Sequence, residues 1–305
     1  MFRMPGANAH DISEAIPEME AELRTDIEKI SVNIGERNSI KYEKLCETVD
    51  FLTKSFETMG YNVKKQEYLI NKKKYYNLEV EIKGNTKADE IVIIGAHYDS
   101  AVNTPGANDN ASGMAGVLSL ARTFYGKQIA KTLRFVGFVN EEPPYSFTPQ
   151  MGSWVYAKRC HESGENVVAM ISLETIGYYS DEKGSQNFPL DFLKLFYPDT
   201  GNFIGFVGDN SSRDLVQKVV GLFREAGKIP SEGVATFSSI PGIGWSDHWS
   251  FWQEGYKALM VTDTAPFRYP YYHTKKDTSD KIDYKRMALV VKGLQFVIEK
   301  LVSVN

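Results

Sequence analysis

Three short segments of this 305-residue chain hold residue types that can bind a metal or transfer a proton. His97 and Asp99 lie in "GAHYDS", and Asp109 lies in "GANDNASG". A pair of acids, Glu141 and Glu142, follows in "VNEEPP". Carboxylates gathered at one place repel one another unless a cation lies among them. Since imidazole and carboxylate together suit zinc or a similar divalent ion, these segments indicate a metal site if the fold brings them together.

Short apolar runs precede the acids and predict strands that are covered on both faces. These strands are predicted at 90–97, 132–142, 167–177 and 257–264. Apolar residues at helical spacing predict helices at 13–34, 40–59, 111–125, 150–160, 211–226 and 284–303. The alternation predicts an α/β fold with three α/β/α layers and a mixed, mostly parallel central sheet. Two strands of mixed polarity, 61–70 and 73–82, predict a hairpin at the sheet edge.

The chain is predicted to form one catalytic domain over residues 37–305, with an N-terminal helical segment, residues 1–36, packed on it. Residues 178–210 are rich in aromatic residues, Gly and Pro and show weak periodicity. A long irregular insertion of this kind is predicted to form a pocket wall or lid, and a variable surface loop is the alternative.

Composition excludes several function classes. The formal charge is −4, with 39 acids against 35 bases and no long basic run, which disfavours nucleic-acid binding. No apolar run approaches the ~20 residues of a membrane span, and the N-terminus has no apolar signal region. Cys46 and Cys160 are far apart and are predicted to be free thiols, with a disulfide as the alternative. A cytoplasmic location is weakly favoured, and the oligomeric state is not predicted.

Some of the acids also have ordinary structural interpretations. Asp109 or Asn110 alone is more simply read as the N-cap of the next helix. Paired glutamates such as Glu141 and Glu142 are common on exposed loops. Here they follow a buried-strand pattern and precede "PP", which favours a rigid functional position at a strand end. In open α/β sheets, ligands bind beyond the carboxyl ends of the strands, where these acids are predicted to lie.

Four motifs in order carry a family resemblance: "AHYDS…PGANDNASG", "NEE", "LETIG" and "YYHT". They resemble the co-catalytic zinc aminopeptidase family, which includes glutamate carboxypeptidases and has glutaminyl cyclases as relatives. The resemblance runs from about residue 40 to the end. It implies a zinc-exopeptidase fold of the phosphorylase/hydrolase-like type, a peptide substrate and a metal-dependent exopeptidase, with an aminopeptidase as the leading interpretation.

The resemblance also implies a ligand set. His97 and Glu174 are expected to bind one zinc ion, and Glu142 and His273 a second. Asp109 is expected to bridge the two. The family usually has Asp at the position of Glu174, and the longer glutamate makes occupancy by one ion an alternative to occupancy by two.

The remaining site residues are also implied by the resemblance. Glu141 is expected to act as general base, and Tyr272 to donate a hydrogen bond to the oxyanion. On its own, Tyr272 is equally well read as a packing aromatic. Asp99 is expected to orient His97 through the ring nitrogen that does not bind metal. The Asp109–Asn110 peptide bond is predicted to be cis.

The segment "GWSDHWSFW" and the remaining histidines have more open roles. Asp247 is predicted to lie beside the active site with a possible role in contacting substrate, and His248 to be structural. His10 and His161 are predicted to be exposed.

Three other functions stay open. A carboxypeptidase needs an arginine facing the substrate carboxylate, and Arg268 and Arg213 are the candidates. A glutaminyl cyclase uses the same fold and similar ligands, generally with one metal ion, and Glu174 keeps this alternative in view. A non-catalytic binding homologue is the third, although every ligand position retains a plausible donor.

Overall fold

A single twisted sheet forms the centre of the computed structural model, which describes residues 2–4, 16–227 and 229–303. Within these residues the sheet has nine strands, in the order β1-β8-β7-β9-β6-β4-β5-β3-β2. The strands are β1 (Phe2–Met4), β2 (Lys64–Ile70), β3 (Lys73–Ile82), β4 (Lys87–His97), β5 (Lys131–Phe138), β6 (Asn166–Glu174), β7 (Ile204–Asp209), β8 (Ser231–Thr236) and β9 (Ala258–Thr262).

The middle of the sheet is parallel. Strands β9, β6, β4 and β5 run in the same direction, whereas β3 pairs antiparallel with both β5 and β2. The β2–β3 hairpin lies at one edge of the sheet, as its mixed polarity predicts. Because the parallel strands end on the same side, the residues that follow β4, β5, β6 and β9 meet at one rim of the sheet.

Helices cover both faces of the sheet. They are α1 (Pro17–Glu28), α2 (Tyr42–Thr58), α3 (Gly113–Phe124), α4 (Gly152–Glu162), α5 (Arg213–Ala226), α6 (His248–Gln253), α7 (Ala265–Arg268) and α8 (Tyr284–Val302). Strand β4 shows why two layers of helix are needed. Val92 and Ile94 join the larger core with α1, α3 and α8, and the alternate residues Ile91 and Ile93 join a second core with α4 and α6. The predicted three-layer fold is confirmed.

The N-terminal segment is helical from Pro17 to Ile34, but Phe2–Met4 form strand β1 and not helix, because they pair with β8 at the sheet edge. Helix α1 begins at Pro17, a favoured first helical residue, and continues as a π-helical turn, Lys29–Ile34. Leu23 and Ile27 are fully buried in the larger core. The predicted helix residues 13–15 and His10 lie outside the described residues. The two cysteines are free thiols, as predicted.

The predicted irregular stretch 178–210 is wrong at its end, where β7 begins at Ile204. Strand β8 was also missed. Both strands are six residues long and contain glycine, Gly205 and Gly208 in β7 and Gly233 in β8. Glycine weakens the local strand preference, so pairing with neighbouring strands decides the conformation here. None of the described helices has the length and apolar character needed to cross a membrane.

Candidate metal centre

The candidate ligands follow the ends of three parallel strands. His97 is the last residue of β4, and Glu174 is the last residue of β6. Strand β5 ends at Phe138, directly beside His97 in the sheet, and three residues later the chain reaches Glu141 and Glu142. The predicted strand 132–142 is therefore too long, because the backbone leaves the sheet before the two acids.

Asp109 lies in a non-helical turn before α3. Gly106 starts this turn with a φ of 62°, and the Asp109–Asn110 peptide bond is cis, as predicted. The Asn110 side chain, rather than that of Asp109, caps the helix, because its Oδ1 accepts hydrogen bonds from Gly113 N (3.0 Å) and Thr175 N (3.1 Å). The Asp109 carboxylate is thus left to face the histidines.

Asp109 stands between two histidines. Its Oδ1 lies 3.3 Å from His97 Nε2, and its Oδ2 lies 2.9 Å from His273 Nε2. On one side, Glu174 Oε2 is 3.2 Å from His97 Nε2. On the other side, Glu142 Oε1 is 3.3 Å from His273 Nε2. The structure therefore brings together all five residues that the sequence proposes as ligands, in two groups that share Asp109.

Both groups have the composition and spacing of a cation site. Donor atoms of His97, Asp109 and Glu174 lie within 4.8 Å of one another, and so do those of Asp109, Glu142 and His273. Neither ring nitrogen of His97 makes a hydrogen bond of good geometry to a described residue, and neither does Glu142 Oε1, although all three atoms are buried. Buried polar atoms without partners are rare, so this donor set fits a divalent metal.

Electrostatics in the cluster support the same interpretation. Burial lowers the pKa of His97, but the nearby carboxylates of Glu174 and Glu141 outweigh burial and raise this pKa well above its usual value. Burial, together with the charge of Asp109, raises the pKa of Glu142 to about 7. Several acids and one buried imidazole thus perturb one another strongly, and a bound cation would relieve their mutual repulsion.

Asp99 connects the end of β4 with the loop that follows β5. Its Oδ1 lies 3.5 Å from His97 Nδ1, the ring nitrogen that points away from Asp109. The two carboxylate oxygens also accept hydrogen bonds from the backbone N–H groups of Glu141 and Glu142, each at 3.2 Å. Asp99 therefore fixes the loop that carries both glutamates, a function that the sequence did not predict.

Glu174 has its own support. Ser246 donates a hydrogen bond to Glu174 Oε2 at 2.8 Å, and Ser246 Oγ lies 3.0 Å from Ser172 Oγ. Asn110 Nδ2 approaches the same oxygen at 3.4 Å and donates to Leu173 O at 2.8 Å. These contacts direct the longer glutamate side chain towards His97.

Three further residues lie around the cluster. Glu141 Oε2 is 3.8 Å from His97 Nε2, and burial raises the pKa of Glu141 well above its usual value. Tyr272 stacks on His273, with ring centroids 3.9 Å apart. Asp247 is fully buried, neither of its oxygens makes a hydrogen bond of good geometry, and burial raises its pKa to about 7. Asp247 is therefore a buried acid beside the site, near His97 and Glu174.

Several buried polar residues that support Asp109 were not predicted. Asp277 accepts hydrogen bonds from Asn108 N (2.8 Å) and Asp109 N (3.1 Å). Asp263, at the end of β9, accepts from Asn108 Nδ2 at 2.9 Å and does not join the cluster. Asp263 lies at the end of the predicted strand pattern 257–264, which is the sequence signal for an acid at this rim, whereas Asp277 carries no such signal.

The surroundings of His248 agree with the structural role predicted for it. It is fully buried at the start of α6, and its Nε2 lies 2.7 Å from Ile243 O. Burial lowers the pKa of His248 to about 4, from 6.5. His161, by contrast, is exposed, as predicted.

His248 is expected to make unfolding pH-dependent. Its pKa is lower in the folded state, so the unfolded chain binds more protons between pH 6.5 and 4, and stability falls as the pH drops through this window. The full effect is roughly 3 kcal/mol. The free energy of unfolding, measured with urea at several pH values between 4 and 7, should change less steeply with pH in His248→Gln than in the wild type. Glutamine keeps a donor for Ile243 O. His161→Gln should leave the slope unchanged, and an unchanged slope in His248→Gln would contradict the assignment.

A deep apolar pocket adjoins the cluster. Glu174 and Tyr272 are among the residues that line this cavity, whose volume is about 120 Å³. Its walls are apolar and aromatic, and they include Phe188, Leu193, Tyr197, Val207, Val234, Ile243, Trp245, Met260 and Phe267. Residues from the stretch 178–210 form one wall, together with strands β7, β8 and β9.

The two arginines proposed for a substrate carboxylate lie elsewhere. Arg268 is buried and donates to Gln186 Oε1 (2.8 Å) and Phe203 O (2.9 Å), so it holds the pocket wall in place. Arg213 is exposed at the start of α5. Neither residue lines the pocket.

Sequence comparison gives a family match and two informative relatives. The family model for peptidase family M28 matches residues 77–295. The chain is 35% identical over 305 residues to an uncharacterized Escherichia coli K12 protein, YfbL, with 96% of this chain and 92% of that protein covered. It is 27% identical over 217 residues to a probable leucine aminopeptidase 1 of Trichophyton verrucosum, covering 66% of this chain. The match spans about half, 52%, of that fungal protein.

Comparison with solved structures identifies the same architecture. A zinc aminopeptidase from Bacillus subtilis, BSAP, superposes with a TM-score of 0.73 at 15% identity, covering 95% of this chain and 97% of that one. The glutaminyl cyclase of Fimbriiglobus ruber superposes with a TM-score of 0.68 at 20% identity, covering 94% and 96%. At these identities the structures establish the shared fold.

Proposed function

This chain belongs to peptidase family M28, and on that premise we propose that it is a zinc-dependent aminopeptidase that removes apolar residues from peptide N-termini. The resemblance seen in the motifs and the assignment to the metallopeptidases are confirmed by the family match and by the aminopeptidase relatives. The observation that carries the proposal is the pair of ligand groups sharing Asp109 at the end of an apolar pocket.

Zinc fits the donor set of two imidazoles and three carboxylates. We propose two ions: one held by His97 and Glu174, the other by Glu142 and His273, with Asp109 shared. When bound, zinc supplies Lewis-acid activation of water and of the scissile carbonyl.

Glu141 is the proposed general base. It lies beside both ligand groups without belonging to either, and its raised pKa suits a group that both accepts and releases a proton. In this role the carboxylate takes a proton from the attacking water and passes it to the leaving amine. Asp99 supports this role because it hydrogen-bonds the Glu141 backbone N–H.

Tyr272 is the proposed oxyanion donor. It lines the pocket beside Glu174, and burial raises the pKa of its hydroxyl well above the usual value, so the hydroxyl stays protonated and able to donate. Its stacking on His273 is also compatible with a packing role. We favour donation because the pocket and the cluster meet at this residue.

The pocket favours an aminopeptidase over a carboxypeptidase. The acids Glu141, Glu174 and Asp247 surround the cluster and would attract the α-ammonium group of a peptide. Among the residues that the structure describes, no arginine lines the pocket, so a substrate carboxylate lacks the partner it would need there. An apolar N-terminal side chain would fill the aromatic cavity.

Glutaminyl cyclisation is the second candidate. It is favoured by the glutamate at position 174, where the family usually has aspartate, and by the fold shared with the Fimbriiglobus ruber enzyme. This alternative expects one zinc ion per chain and a product that has lost ammonia.

A peptide substrate follows from the family, whereas statements on nucleic-acid binding and on cellular location are proposals. The excess of acids over bases disfavours nucleic acid as a ligand. A cytoplasmic location is proposed on the free cysteines Cys46 and Cys160.

The deciding experiment is a peptide-library digest analysed by mass, combined with the metal content of the purified protein. The proposal expects stepwise loss of N-terminal residues, release of p-nitroaniline from leucine p-nitroanilide, and two zinc ions per chain. Trimming from the C-terminus, or loss of ammonia from N-terminal glutamine without trimming, would reject it.

The pocket gives a specificity prediction. Val234, half-buried on β8, lines the cavity, so Val234→Phe is expected to fill space that a large substrate side chain needs. The value of kcat/KM should fall at least about tenfold for leucine and phenylalanine p-nitroanilides, and change little for alanine p-nitroanilide. Val32→Phe, at an exposed site remote from the pocket, is the matched control. Equal losses on all three substrates would show that the pocket does not receive the side chain.

A further inference from the structure

Arg37 is a buried arginine that binds backbone rather than carboxylates. It is fully buried just after the N-terminal helical segment. Its Nε donates to Tyr98 O at 2.6 Å, its Nη1 to Pro105 O at 2.6 Å, and its Nη2 to Gly106 O at 2.9 Å. All three carbonyls lie in the loop 98–106, which links the candidate ligands at the end of β4 and before α3.

The backbone around Arg37 reinforces this attachment. Arg37 N donates to Ser100 Oγ at 3.1 Å, and Ser100 N donates to Arg37 O at 2.9 Å. Asn38 Nδ2 donates to Ser100 O at 3.2 Å, and Glu36 Oε1 accepts from Asn103 N at 2.9 Å. Residues 36–38 therefore form a strap, called here the Arg37 strap, across the loop.

The positive charge of Arg37 interacts with acids in and around the candidate metal centre. Burial lowers its pKa to about 10, and the charges of Asp99, Asp277, Asp109 and Glu142 act in the opposite direction. No carboxylate is among the hydrogen-bond acceptors of this guanidinium in the described part of the chain. A buried cation is costly unless its surroundings compensate it, and here the backbone carbonyls and the nearby acids, Asp99 first, supply that compensation.

Arg122, a half-buried arginine, makes a different kind of contact. Arg122 forms two hydrogen bonds with the Asp26 carboxylate, at 2.8 and 3.1 Å, and joins α3 to α1. The two opposite charges of Arg122 and Asp26 therefore neutralise each other. Arg37 has no such partner among the described residues, and its side-chain hydrogen bonds go to the loop between two candidate ligands or to Gly35 O (3.2 Å), next to the strap.

We infer that Arg37 is a positioning residue for metal binding, an inference that depends on the proposed zinc site. It holds the loop 98–106 so that His97 and Asp109 already face each other before the cation arrives, and its positive charge offsets part of the repulsion among the acids. Loss of Arg37 should therefore weaken zinc binding, because the loop must then be ordered by the metal itself.

The test measures zinc affinity by competition with a chromophoric chelator, together with thermal unfolding of the metal-free protein. Arg37→Met is expected to raise the zinc Kd about 10- to 100-fold. Amides of residues 98–109 should also exchange hydrogen faster in the metal-free variant. Arg122→Met is the control: it loses a half-buried arginine and some stability, but its zinc Kd should equal that of the wild type.

Two milder variants cover the case in which Arg37→Met does not fold. Arg37→Lys keeps the charge but loses the planar fork, and Ser100→Ala loosens the strap without changing charge. Each should raise the zinc Kd severalfold. Wild-type zinc affinity in the folded variants, even with a lower Tm, would overturn the inference and leave Arg37 a purely structural residue. Failure of the wild-type protein to bind zinc would instead reject the proposed site itself.

Discussion

Glu141→Gln is expected to abolish hydrolysis while zinc stays bound. Glutamine has nearly the same shape as glutamate but cannot accept the proton of the attacking water, so kcat should fall by about 10²- to 10⁴-fold. Because Glu141 belongs to neither ligand group, metal content should not change. The measurement is the turnover of leucine p-nitroanilide together with zinc per chain.

The neighbouring residue supplies a sharp comparison. Glu142→Gln removes a candidate ligand rather than the base, so it should lose zinc as well as activity. Glu182→Gln, at an exposed site in the segment after β6, should affect neither. Full activity in Glu141→Gln would end its assignment as base. Loss of zinc in Glu141→Gln would move it into the ligand set.

Asp109→Asn is expected to have the largest effect on metal binding. Its two oxygens face His97 and His273 separately, so replacing one oxygen by an amide group removes a donor from one group and a negative charge from both. Zinc content should fall to background, and activity with it. Asp26→Asn, which alters a buried acid paired with Arg122, should retain its zinc.

A second variant tests whether the protein binds one zinc ion or two. His273→Gln removes a ligand from only one group, so it should retain about one zinc ion if the wild type binds two. If the wild type binds a single ion on that side, His273→Gln should retain none. Wild-type zinc content in Asp109→Asn would contradict the bridging role altogether.

The part of the site that sequence could predict is the part that follows strand ends. The positions of His97, Glu174 and the two glutamates follow from buried-strand patterns, because the parallel strands of one sheet all end at the same rim. The order of the motifs then identified Asp109 and His273 as ligands, which hydrophobic periodicity alone could not have done. The confirmed cis bond at Asp109 came from the resemblance as well.

The residues that sequence could not supply act through contacts between distant segments. Ser246 reaches Glu174, Asp277 reaches the Asp109 backbone, and Arg37 reaches the loop 98–106. Each is an ordinary polar residue in its own segment. Strands β7 and β8 were missed for a related reason, since their glycine-containing sequences become strands only through pairing within the sheet.

The two ligand groups differ in how firmly the chain holds them. His97 and Glu174 end central strands and are buried, whereas His273 lies in a turn and exposes 37% of its side chain. A cation held by His97 and Glu174 would therefore be enclosed by the sheet, and a cation held by His273 would lie beside a partly exposed imidazole. We therefore expect a zinc ion held by His273 to exchange with free zinc faster than one held by His97 and Glu174.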